Sequence, residues 1–93
     1  MTMTYVGTVG LKVRINTKND LSGTTLVALL VKKPDGTEVT WEGTANGTYI
    51  EYVVQDGDLD QAGYYAIQAY FERADGSKFY GNTTGIHVYE KFE

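Results

Sequence analysis

The sequence predicts an all-β fold, an antiparallel sandwich or small barrel, and three observations lead there. Apolar and polar residues alternate with a period of two in several short segments. Turn clusters containing Gly, Asn or Asp separate those segments. The segments themselves are rich in Thr, Val and Tyr, and the chain has 11 glycines against one proline. Period-two alternation marks a strand with one buried face, and β-branched and aromatic side chains suit a pleated surface.

Taken in order, residues 1–7 (MTMTYVG) form an uncharged N-terminal arm or a short edge strand. VGLKVRI (9–15) places Val9, Leu11, Val13 and Ile15 on one face and Lys12 and Arg14 on the other. NTKNDLSG (16–23) is turn chemistry. TTLVALLVKK (24–33) is nearly continuously apolar, as expected of a central strand covered on both faces or packed near an interface. KPDG (33–36) is a turn, because proline presets φ at the second position and glycine closes it. TEVTWEG (37–43) alternates again, with Val39 and Trp41 together. ANG (45–47) carries the Asn-Gly hairpin signal, and TYIEYVV (48–54) follows as a strand. YYAIQAYFE (64–72) sets Tyr65, Ile67, Ala69 and Phe71 on one face. RADGSK (73–78) turns at Asp75-Gly76, and FYGNTTGIHVYE (79–90) is the last strand. Gly81 and Gly85 within it suggest a bulge or an edge. Six strands, or seven with the arm, make one domain over residues 1–93.

Composition narrows the function classes. The chain has no cysteine, so neither a disulfide nor thiolate chemistry is available. Net charge is −4, and the eight Lys and Arg residues are scattered, with Lys32-Lys33 the one adjacent pair. Nucleic-acid binders carry a basic stripe, so nucleic acid is not an expected partner. No apolar run approaches the ~20 residues of a membrane helix, and the N-terminus lacks the basic and apolar regions of a signal peptide. A membrane partner is not expected either.

Residues 56–71, DGDLDQAGYYAIQAYF, raise the question of a calcium loop. An EF-hand needs glycine at position 6 and a bidentate glutamate at position 12. Counting from Asp56, those positions hold Gln61 and Ile67, so Asp56, Asp58 and Asp60 are read as turn residues, with Asp58 or Asp60 capping a turn through its side chain. The second half of the stretch is more specific. Gly63-x-Tyr65-x-Ile67, with Asp60 upstream, resembles the corner that leads into strand F of immunoglobulin-like domains. There a tyrosine buries its ring and bonds its hydroxyl to backbone a few residues back. Tyr64 fits the spacing from Asp60 better, but Tyr65 is the one in phase with Ile67, Ala69 and Phe71. The resemblance implies an immunoglobulin-like antiparallel β-sandwich, with a structural corner at Asp60, Gly63 and Tyr65. It also implies that Leu29 takes the place of the strand C tryptophan, and Ile15 and Ile67 the places of the strand B and F cysteines. The centre would then be held by aliphatic packing.

Catalytic machinery is not expected. His87 is the one histidine, out of phase with Ile86 and Val88. Ser22 and Ser77 lie in turns outside any G-x-S-x-G context, and GTVG (7–10) lacks the lysine of a phosphate loop. No cofactor or metal is called for. The eight tyrosines are the notable excess. Rings on a strand face serve cross-strand pairing, the centre of a protein interface, or a sugar platform. The last strand bears few charges, and an uncharged edge is a template for pairing. Tyr5, Tyr80, His87 and Tyr89 are therefore the candidate interface residues.

A second resemblance bears on function. DLSGTTLVALLVKKPDGTEVTWEG (20–43) and QDGDLDQAGYYAIQAYFERADGSKFYG (55–81) are similar to small immunoglobulin-like proteins and domains of tailed bacteriophages, of which the N-terminal domain of the baseplate upper protein family is the nearest named example. That resemblance implies a non-enzymatic virion structural or adaptor protein. It would contact other virion proteins in multiple copies in a tail, baseplate, fibre attachment or capsid decoration, after assembly in the host cytoplasm. The alternative expectation is a carbohydrate-binding or adhesion module that uses exposed tyrosines, with a host-surface glycan as partner.

Overall fold

The computed structural model describes residues 4–92, and its regular structure is entirely strand. The strands are β1 (Thr4–Tyr5), β2 (Lys12–Asn16), β3 (Thr24–Lys32), β4 (Glu38–Glu42), β5 (Thr44–Asn46), β6 (Tyr49–Val53), β7 (Gly63–Arg73) and β8 (Lys78–Tyr89). One sheet has the order β1-β8-β7-β3-β4, the other β2-β6-β5. Every pairing is antiparallel except that of β1 with β8. This is an immunoglobulin-like sandwich, with β3, β4, β7 and β8 in the positions of strands C, C′, F and G, and β2, β6 and β5 in those of B, E and D.

The alternating residues of both sheets meet in one core. Val13 and Ile15 of β2 and Ile50 of β6 pack with Val27, Leu29 and Val31 of β3, Trp41 of β4, and Tyr65, Ile67, Ala69 and Phe71 of β7. Leu29, Ile50 and Ile67 have no exposed surface, and Ile15 is buried with them. The centre of the sandwich is thus aliphatic. Trp41 and Tyr52 add an aromatic bridge between the sheets, stacked with centroids 4.9 Å apart and planes at 14°.

Several boundaries differ from the sequence reading. Val9 lies outside β2 and is 57% exposed, where alternation placed it in the core. The cause is a turn before the strand: Gly10 sits at φ 93° and its N–H donates to the Val54 carbonyl, so the strand begins only at Lys12. β5 was not expected; its three residues are all exposed and carry no burial pattern. The hairpin after it turns on Gly47-Thr48 instead of Asn46-Gly47, because Asn46 still pairs with Tyr49. Gly47, at φ 64°, fills the first central position, where type II′ turns take glycine. The arm contributes β1, and its residues 1–3 lie outside the described residues.

Candidate interaction surface

The corner residues occupy the start of β7. Tyr65 is fully buried, and its hydroxyl accepts from the Gln61 N–H at 3.0 Å and donates to Asp60 Oδ1 at 3.4 Å. Burial pushes the Tyr65 phenol up, while the Gln61 N–H pulls it down. Asp60 also receives Lys33 Nζ at 2.9 Å, and that bond holds the carboxyl below its usual range. Lys33 is raised in turn, chiefly by the same bond. The pair ties the end of β3 to the loop before β7. Gly63 completes the corner. Its φ is 129°, and a Cβ there would fall 2.8 Å from Pro34 Cβ, so an L side chain has neither the conformation nor the room.

The other aspartates of the stretch have separate partners. Asp58 Oδ2 accepts from the Gln55 N–H at 2.8 Å and from the Tyr52 hydroxyl, which caps the turn over residues 55–58. Asp56 is exposed. Among the described residues, no three His, Cys, Asp or Glu side chains converge.

The outward-facing side of the five-stranded sheet is where exposed aromatic groups gather. Residues opposite one another in a ladder share a face. Tyr5 lies opposite Tyr89, and Tyr64 opposite His87. His87 stacks on Tyr89 with centroids 4.3 Å apart and planes at 11°, and Tyr5 meets Tyr89 at 6.2 Å. Of the four candidate interface residues, Tyr5, His87 and Tyr89 therefore form one cluster. Tyr80 stands apart at the other end of β8, 61% exposed and tilted against Tyr70 at 5.0 Å. Tyr70 donates to Glu72, and that bond is the main cause that pushes its phenol up to about 12.

Two aromatic rows thus cross the sheet with small residues between them. Along β7 the outward residues run Tyr64, Ala66, Gln68, Tyr70, and along β8 they run His87, Gly85, Thr83, Tyr80. An extra residue in β8 around Gly81-Asn82 shifts its register and keeps Tyr80 on the same face as Thr83. Between the rows lies an open trough of about 260 Å³ bordered by Leu30, Lys32, Glu38, Ala66, Gln68 and Thr83. Gly85 belongs neither to the bulge nor to a free edge in its own right. It is where the Tyr64 ring rests, and a Cβ there would sit 2.0 Å from Tyr64 Cζ.

Tyr64 and Tyr70 were not among the sequence-derived interface residues. The signal for Tyr64 is its phase, opposite to Tyr65, joined to a glycine on the neighbouring strand, and register supplies that second part. The edge of β8 is the other open feature. β1 covers it only at Val88 and Tyr89 among the described residues. No Asp, Glu, Lys or Arg occurs between Lys78 and Glu90. No protein-family model, curated protein or solved structure matches the chain significantly.

Proposed function

We propose that this chain is a non-enzymatic structural adaptor of a tailed-bacteriophage particle, which docks other virion proteins through β8. One observation carries the docking mode: a twelve-residue strand at the margin of the sheet, uncharged from Phe79 to Tyr89 and, among the described residues, covered by β1 at Val88 and Tyr89 only. Soluble sandwiches normally blunt such an edge with charge, so its neutrality favours a partner that adds to it. Tyr80 and the Tyr5–His87–Tyr89 cluster supply aromatic contacts on the adjoining face, the residue type that anchors protein interfaces. The setting in a phage particle is supported by the resemblance of residues 20–43 and 55–81 to phage immunoglobulin-like domains.

The test is incorporation into particles. Tyr80→Lys and His87→Asp each place a charge on an exposed position, where substitutions stay within about 0.5 kcal/mol. Both variants should keep the circular dichroism of the parent and be lost from purified particles. Normal incorporation of both would refute docking through β8.

A further inference from the structure

We propose that the trough on the outward face of the five-stranded sheet binds an uncharged oligosaccharide, with the Tyr64 ring as the platform for one pyranose. The leading observation is how Tyr64 is seated. An ideal Cβ at Gly85 would fall 1.9 Å from the Tyr64 hydroxyl and 2.0 Å from Cζ, so the phenol lies against bare β8 backbone. The side chain is nevertheless 60% exposed. One ring face is spent on the sheet and the other is turned to solvent, in an orientation the sheet itself fixes. An aromatic face presented in this way packs against the C–H groups of a sugar ring, while the sugar hydroxyls require donors and acceptors around it.

The trough begins at Ala66, the next outward residue of β7 after Tyr64, and supplies those groups. Its floor is Leu30 and Ala66, and its polar border is Lys32, Glu38, Gln68 and Thr83. Gln68 Nε2 donates to the Gly81 carbonyl at 3.2 Å, which orients the amide and leaves Oε1 as an acceptor. Thr83 offers a hydroxyl of both kinds, Lys32 donates and Glu38 accepts. Charge selects against an ionic ligand. Lys32 lies directly opposite Glu38 across β3 and β4, and Lys78 opposite Glu72 across β7 and β8, so each charge is offset by its neighbour. The complement to such a surface is neutral and carries donors and acceptors in equal measure, which describes a polyol. The inference is independent of the phage setting: Thr83 and Gly85 of β8 take part through their outward face, and a sugar seated there leaves the hydrogen-bonding edge of β8 open.

The experiment is a screen of the whole chain on an array of neutral and acidic oligosaccharides, followed by titration of neutral hits (malto-, cello- or chito-oligosaccharides) into isotope-labelled protein. Saturable binding of a neutral glycan is expected, with amide shifts centred on Ala66, Gln68 and Thr83. Tyr64→Ala should weaken it at least about tenfold, whereas Tyr64→Phe, which keeps the ring face, should stay within about threefold. Gly85→Ala retains the tyrosine but lifts its ring, and should weaken binding as Tyr64→Ala does; Gln68→Ala provides a second loss that leaves the backbone untouched. Retention of no neutral glycan, retention of acidic glycans alone, full affinity in Tyr64→Ala, or shifts confined to β2, β5 and β6 would each overturn the proposal. Tyr64→Ala should still be incorporated into particles, so the two readings fail separately.

Discussion

Adjacent tyrosines at the start of β7 take opposite sides of one sheet, and their hydroxyls have different value to the fold. Tyr65 is buried and satisfies the Gln61 N–H, so Tyr65→Phe leaves that donor without its acceptor. The expected cost is roughly 0.5–1.5 kcal/mol, and more where the donor stays dry. Tyr64→Phe removes an exposed hydroxyl and should cost less than about 0.5 kcal/mol. Urea denaturation of both variants checks the ranking, and the reverse order would mean that the corner bond contributes nothing. Tyr52 makes a second residue-scale prediction. Burial first, then the bond to Asp58, push its phenol up to about 12. An unfolded tyrosine ionises near pH 10, at roughly the reference value. Across the window from about 10 to 12 the unfolded chain releases a proton that the folded chain retains, so stability is full below it and falls as pH rises. Tyr52→Phe should flatten that fall without abolishing it, because Tyr70 is raised as well. An unchanged slope in alkaline denaturation would count against the Tyr52–Asp58 bond.

At the scale of elements, the turns are as constrained as the strands. Gly63→Ala forces a side chain into φ 129° and onto Pro34, which should destabilise the domain by about 1–3 kcal/mol. A thermal melt indistinguishable from the parent would contradict the corner geometry. The stretch 55–61 should hold no structural calcium, because Asp58 is engaged by Gln55 and Tyr52 and Asp60 by Lys33. Melting temperatures in calcium and in chelator should coincide, and a rise of several degrees in calcium would show otherwise. Period-two alternation made β4, β6, β7 and β8 legible to within a residue or so at each end, and a continuous apolar run did the same for β3. Alternation misjudged Val9 because it says nothing of the turn at Gly10, and it could not register β5, three exposed residues long; β1 falls within the segment read as an arm or a short edge strand. The trough was illegible for a different reason. Tyr64 over Gly85 is a relation between strands, and a one-residue slip would place different side chains together. The sequence shows which residues share a face of one strand, while the Tyr80 offset depends on a bulge that only pairing reveals.

At the scale of the whole molecule, the unequal sheets predict how the fold opens. β7 and β8 run eleven and twelve residues, the strands of the smaller sheet five or fewer, and the domain is drawn out to 47 × 25 × 20 Å. The distal part of the β7–β8 hairpin therefore has little opposite it, and Phe79 is 44% exposed although it stacks on Phe71. Central strands exchange their amide hydrogens only when the domain unfolds globally, while thinly covered elements open locally. β3 and β7 have strand neighbours on both sides and contribute Val27, Leu29, Val31, Tyr65, Ile67, Ala69 and Phe71 to the buried core. Their amides, with those of β2 and β6 that pack across from them, should form the slowest class in native-state hydrogen exchange. Amides of β1, of β5 and of the β7–β8 tip should exchange faster, at denaturant-independent rates. The sharp point is β2 and β6: Val13, Ile15 and Ile50 share one cluster with Leu29 and Ile67, so the two sheets should open together. Exchange of β2 and β6 in the fast class, with β3 and β7 still protected, would show that the smaller sheet detaches alone and that the aliphatic centre does not couple the two halves.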